Sequence, residues 1–272
     1  MPAFFHVIKE QVAHFHMTRR LSIYEIKNKN RNNMLGSSWE IINPLIQMLI
    51  YWFVFQNVRQ HSTMVLPNGE TVPFVYWMLS GFILWIFFYK STIEGSNSVY
   101  SRIKMLSKMK FPMSIIPSYV IFSYFYVHLI ILGITVLLFL LGGYYPNLYY
   151  LQLLYFVPAL LLFLFSLSLI MSTLSTMLRD VHMFLNAVLR MVLYLSPILW
   201  EIGNLGGWIG FVARLNPLYY LIEGYRSALF GTGWYLVEAY EYTLYFWGLT
   251  VLLFGIGASI HMKFRRHFID YV

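Results

Sequence analysis

Glu223 and Arg226 stand three residues apart in an otherwise mostly apolar stretch, 216–230. On a helix that spacing puts a carboxylate and a guanidinium on one face, where they pair. Such a pair contributes little when exposed and more when buried, and its chemistry is that of a structural clip. We expect it to hold a gate closed. Arg190 is the second unusual charge, because it sits in the middle of an apolar run, where a cation is costly unless paired or wet. Its natural partners are Asp180 or a water-filled interface. His6, His14 and His16 cluster in number, but on an interfacial helix histidines are commoner as headgroup-level residues than as ligands, so no metal is assigned. There is no Gly-x-x-x-x-Gly-Lys-Ser/Thr loop to cradle nucleotide phosphates, no His-Glu-x-x-His and no Gly-x-Ser-x-Gly. No catalytic residue is assigned either.

The elements that would position these charges are membrane elements. The chain has 272 residues, 59% hydrophobic and 19% aromatic, with only 11% charged, and its mean hydropathy is +0.62. A soluble domain carries about 25% charged residues, so the chain is expected to be embedded in a bilayer. The net charge of +8 does not point to nucleic acid, because the basic residues fall between apolar runs and not beside stacking aromatics in a soluble domain. The absence of cysteine excludes disulfides and thiolate metal sites. No cleavable signal peptide is expected, since the N-terminus lacks a compact apolar core followed by small residues.

In chain order, residues 1–25 place Phe4, Phe5, Ile8, Val12 and Phe15 at near-helical spacing against Lys9, Glu10, His14 and Arg19. That is an amphipathic helix too polar to span, expected to lie in the interface. Residues 27–31 read as a polar linker closing a 1–40 interfacial region. Six spans follow, over 41–58, 73–92, 114–142, 151–177, 182–200 and 242–262. The first carries Asn43, Gln47, Gln56 and Asn57, amides that lipid penalises, so one side of it should face protein or water. A polar loop over 59–72 has turn chemistry at Pro67-Asn68-Gly69. Within 94–113, Arg102, Lys104, Lys108 and Lys110 alternate with Ile103, Met105, Leu106 and Met109, a short basic amphipathic helix that either anchors to headgroups or docks into a partner. Between the fifth and sixth spans, 204–230 breaks at Asn216-Pro217 into two apolar pieces, each shorter than the roughly 20 residues a span needs. They read as half-helices that dip in and return, tolerated only beside protein or a water-filled cavity. The expected fold is therefore all-α, with six transmembrane helices, an N-terminal interfacial helix and two re-entrant half-helices.

Lysine and arginine concentrate in the N-terminal region, the 94–113 connection, Arg179 and the tail, which puts both termini in the cytoplasm. Intramembrane acids and repeated halves, the marks of ion-coupled carriers, are missing from the sequence. Energy for transport is then expected from a separate ATPase.

Several motifs together carry a resemblance. They are Lys27-Asn28-Lys29-Asn30 ahead of Leu35-Gly36 and Trp39, then Asn43-Pro44-Leu45, Leu178-Arg179-Asp180-Val181, Leu195-Ser196-Pro197-Ile198-Leu199-Trp200, and the run from Asn216-Pro217-Leu218 to Glu223-Gly224-Tyr225-Arg226. In this order the chain resembles the ABC-2 type permeases of polysaccharide exporters over essentially its whole length. Within them it is most similar to the wall teichoic acid translocation permeases of Gram-positive bacteria.

The resemblance implies a homodimer in a bacterial plasma membrane, joined to two copies of a cytoplasmic ATP-binding subunit that holds the ATP and magnesium. This chain would bind no cofactor itself, and its substrate would be a lipid-linked polymer. The segment with Arg102, Lys104, Met105, Lys108 and Phe111 would be the helix that couples to the ATPase. Glu201, Glu223 and Arg226 would close the outer end. On the physical reading, Arg19, Arg20, Lys27, Lys29 and Arg31 would steer a diphosphate to the entrance. Tyr51, Phe55 and Tyr194, with Arg190, would line the way for a sliding polymer. Capsule and O-antigen permeases share the pattern, as do ABC-2 exporters of small hydrophobic drugs. A membrane enzyme acting on lipid-linked sugars fits least, for want of a convergent acid, base or metal set.

Overall fold

The computed structural model describes residues 3–29, 31–58, 63–103, 111–201, 206–265 and 268. Among the described residues the regular structure is helical apart from one hairpin. The N-terminal region forms two helices where one is expected, α1 (Ala3–Ala13) and α2 (Phe15–Lys29). The break at His14 is a kink, since His14 N still donates to Glu10 O and Thr18 N to His14 O. Nor is 27–29 a linker. Lys27 and Lys29 fill the last turn of α2, where cations complement the helix dipole.

The helix α3 (Trp39–Val58) carries Pro44 early and buries little, with Leu49, Trp52, Phe53 and Val54 all exposed. The loop expected after it contains a two-stranded antiparallel hairpin, β1 (Thr63–Val65) and β2 (Thr71–Pro73), in the register Thr63↔Pro73. Gly69 at its tip has φ of 84°, the left-handed conformation that a glycine adopts without strain. Three-residue strands are too short to show a period-two pattern in sequence, so only the turn was legible.

The core is built around α4 (Phe74–Asn97), which is buried along most of its length. Against it pack α5 (Ile115–Leu141) and α6 (Leu153–Met177), and α11 (Tyr240–Phe264) packs on α6. Among the described residues, four helical segments are long and apolar enough to cross a membrane, Phe74–Asn97, Ile115–Leu141, Leu148–Met177 and Tyr240–Phe264. These make the chain a multi-pass membrane protein. α7 (Arg179–Leu195) is shorter and amphipathic. It buries Leu185, Leu189 and Leu193 at successive turns and exposes Met183, Phe184, Met191 and Tyr194.

The stretch before α11 forms α8 (Gly207–Arg214), α9 (Pro217–Phe230) and the single turn α10 (Tyr235–Glu238). Two short helices therefore occupy the expected place. The start of α9 follows from its sequence, because Asn216 Oδ1 accepts from Leu218 N at 3.0 Å and Pro217 takes the first helical position, where its missing N–H is no loss. Gly231, in the left-handed conformation, ends it.

Candidate functional site

The bundle has two ends. One carries the hairpin, α8 and α9; the other carries α1, α2 and the described residues 98–103 and 111–113. Both hold charge clusters.

At the hairpin end, Arg226 on α9 is 3% exposed. Its Nη1 donates to Glu223 Oε1 at 2.6 Å, and its Nη2 donates to the Pro197 carbonyl at 2.7 Å. The guanidinium lies 3.7 Å from the centre of the Trp77 ring on α4. One side chain thus joins α9, the exit of α7 and α4. The Ser196-Pro197 break ends α7 and frees backbone carbonyls, and a buried freed carbonyl needs an internal donor. Arg226 is that donor. The second break is tied to the first, since Asn216 Nδ2 donates to Ser196 Oγ at 3.0 Å. Room for the guanidinium comes from Gly81, where a Cβ would stand 3.4 Å from Arg226 Nη2 and 3.1 Å from Ile222 Cγ2. Glu201 is exposed just beyond the α7 exit, within electrostatic reach of the pair.

At the opposite end, four acids bind the two N-terminal helices to the rest. Glu10 accepts from Arg265 Nη1 at 3.0 Å and from Ser114 Oγ at 2.5 Å, joining α1 to the end of α11 and the start of α5. Glu25 on α2 pairs with Arg102. Lys29 reaches Glu94 on α4 at 3.2 Å and Glu40 on α3 at 3.7 Å, and donates to the Tyr124 hydroxyl on α5.

The residues singled out from sequence fall into distinct groups. Arg102 does not stand free as a basic surface group; besides Glu25 it donates through Nη1 to Ser98 O at 3.1 Å and lies over Tyr119. Lys104, Met105 and Lys108 lie outside the described residues, and Phe111 is half-buried against the core. Arg19, Arg20 and Lys27 are exposed on α2. Lys29 is engaged by two carboxylates, so it is not available to a passing anion. Tyr51 meets Phe82 edge-on at 4.8 Å and Phe55 meets Phe74 at 5.5 Å, so one face of each is committed to α4. Arg190 and Tyr194 are exposed on the outward face of α7, and among the described residues no ion pair joins Arg190 to Asp180. The structure thus brings Glu223, Arg226 and Glu201 together at one end and leaves Arg190 and the entrance cations apart from them. Sequence reasoning missed Trp77, the Pro197 carbonyl and the acids Glu10, Glu25 and Glu94. The acids carried a faint signal, each being an isolated carboxylate in a region rich in lysine and arginine.

Four long apolar helices, with the Glu223–Arg226 pair at one end and a set of ion pairs at the other, define a multi-pass membrane protein. Comparison with known proteins refines the class. Residues 18–230 match the ABC-2 type transporter family, and the chain belongs to it. Two O-antigen export system permease proteins, RfbA, of Klebsiella pneumoniae are similar at 28% identity over 248 residues and 26% over 247, in each case covering 89% of this chain and 90% of the relative. The permease of the same name from Myxococcus xanthus is 24% identical over 208 residues, covering 76% of this chain and 77% of its own.

Proposed function

We propose that this chain is the transmembrane subunit of an ATP-binding cassette exporter that moves a lipid-linked cell-surface polysaccharide from the cytoplasmic to the outer face of a bacterial plasma membrane. The observation that carries the reading is the near end-to-end similarity to permeases named for O-antigen export, in a chain without a phosphate-binding loop. Without that loop it needs an ATP-binding partner, proposed as two copies on a homodimer of this chain.

In this reading α3 and α7 complete six spans with both termini cytoplasmic, and α8 and α9 re-enter from the outer side. Glu201, Glu223 and Arg226 hold the outer end closed. Arg19, Arg20 and Lys27 draw the diphosphate of the carrier lipid to the entrance by long-range attraction. Tyr51, Phe55, Arg190 and Tyr194 line the passage. The connection holding Arg102, Lys104, Met105, Lys108 and Phe111 docks on the ATPase, and the Arg102–Glu25 pair supports this by linking that connection to α2. A stroke of the ATPase would then be delivered to the interfacial helices and the entrance together.

Two polymers compete. Wall teichoic acid is favoured by the motif resemblance, and O-antigen by the names of the relatives. Depleting the chain in its host separates the possibilities. Loss of surface polymer with accumulation of its lipid-linked form inside supports export. Phosphate in the accumulated repeat unit assigns teichoic acid, and a phosphate-free glycan assigns an O-antigen-type substrate. Unchanged surface and internal pools would refute the polymer reading and favour an exporter of small hydrophobic molecules.

A further inference from the structure

A groove of about 530 Å³ runs between α1, the start of α2, the start of α5, the middle of α6 and α11. It is separate from the exposed faces of α3 and α7, on which the passage is proposed. Its walls are apolar, and it opens sideways past Val12, Phe15, Leu162 and Val251, each largely exposed.

Polar residues also line it, yet their donors turn away from the groove. Gln11 Nε2 donates to Ser114 O at 2.8 Å, Ser166 Oγ to Leu162 O at 2.8 Å, Thr250 Oγ1 to Phe246 O at 2.7 Å and Trp247 Nε1 to the Tyr155 hydroxyl at 2.6 Å. Thr18 and Ser118 donate likewise to the carbonyls four residues before them, of His14 and Ser114. A sugar or phosphate inside the groove would find few free donors. A hydrocarbon would find a matching surface.

The dimensions select the hydrocarbon. From Ser166, beside α1, the groove climbs α6 to Pro158, about 12 Å of helix at roughly 1.5 Å per residue. One leaflet of a bilayer core is about 15 Å deep, half of roughly 30 Å. The groove is thus one leaflet deep, with its foot at the amphipathic α1 and its length along the spans. A fatty-acyl chain of that leaflet fits both length and volume, whereas a long polyprenyl chain exceeds both. At the foot, Lys9 and Arg19 stand exposed one position along from the groove residues Ile8 and Thr18. Neither has a carboxylate partner among the described residues, so both are available to a lipid phosphate at headgroup level.

We propose that this groove is a binding site for one acyl chain of an anionic membrane phospholipid, with the headgroup phosphate held by Lys9 and Arg19. The bound lipid fills the space between α1 and the spans and seats the interfacial helix on the bundle. The inference rests on the membrane placement of the chain and of α1, and not on the exported substrate.

The test is photocrosslinking of the full-length chain, co-expressed with its ATPase and reconstituted in vesicles containing phosphatidylglycerol with a diazirine at mid-chain. Mass spectrometry should find adducts concentrated on Leu161, Phe165 and Phe254, several-fold above those on Leu137 and Leu141, which are exposed on α5 away from the groove. Leu162→Trp and, independently, Val251→Trp should narrow the groove and lower those adducts several-fold without changing the Leu137 signal. Lys9→Gln with Arg19→Gln should lower them for phosphatidylglycerol but not for a phosphatidylcholine probe. Adducts spread evenly over all exposed apolar faces would overturn the proposal. So would capture of a diazirine polyprenyl phosphate in the groove in preference to the phospholipid, which would make it a substrate site. Because the readout is a crosslink and not transport, failure of the exporter reading leaves this result interpretable.

Discussion

Replacing Arg226 with methionine removes the guanidinium while keeping a side chain of similar length. In the structure it strands the Glu223 carboxylate, the Pro197 carbonyl and the face of Trp77. Removing one partner of a buried ion pair costs about 3–5 kcal/mol, and a desolvated cation over an aromatic ring is worth about 2 kcal/mol. The same guanidinium makes both contacts, so the terms overlap and a loss of about 3 kcal/mol is the minimum expected from the pair. That is on the order of a hundredfold in the unfolding constant. The assay is equilibrium unfolding in mixed micelles with increasing sodium dodecyl sulfate, followed by the summed fluorescence of the eight tryptophans. Arg226→Lys keeps the charge but lacks the planar fork that serves Glu223 and Pro197 together, so it should fall between wild type and methionine. Adding Glu223→Gln to the methionine variant removes the stranded carboxylate and should recover part of the loss, a positive coupling of about 1–3 kcal/mol. An Arg226→Met protein within about 1 kcal/mol of wild type would refute the reasoning, because the buried Pro197 contact and the half-buried Glu223 carboxylate would both be left without their donor.

Gly224→Ala should destabilise by about 1–3 kcal/mol by the same unfolding assay, because its Cβ would overlap the Phe156 ring. Gly133→Ala, which meets nothing within 4 Å, is the matched control and should show no loss. Asn216→Ala removes the cap of α9 and the bond to Ser196, for a loss of about 1 kcal/mol or somewhat more; an unchanged unfolding midpoint would mean the cap is idle. Glu25→Gln breaks a partly exposed pair and should cost less than about 1 kcal/mol, yet lower polymer exported per ATP hydrolysed if the pair transmits the ATPase stroke. Lys29→Met should release the end of α2 from Glu40 and Glu94, seen as faster proteolysis near residue 30 in vesicles, with transport measured alongside.

Much of this protein was legible without coordinates. The membrane class follows from bulk composition, and the apolar runs that became α4, α5, α6 and α11 are set by length and hydropathy, which are local properties. The start of α9 was legible for the same reason, since Asn216 and Pro217 act through their own backbone neighbours. The spacing of Glu223 and Arg226 told that they share a face. What a linear reading could not supply is the environment of that face. Whether the pair lies in water or in a buried hub depends on Trp77 and the Pro197 carbonyl, which are distant in sequence and come together only when α4, α7 and α9 pack. The extension of α2 through Lys29 was likewise decided by contacts beyond the segment. For Lys29 the deciding groups are Glu40, Glu94 and Tyr124 on three other helices. Sequence periodicity records which side of an element is apolar, but the pairing of isolated charges is fixed by which helices become neighbours, and that is a property of the folded bundle alone.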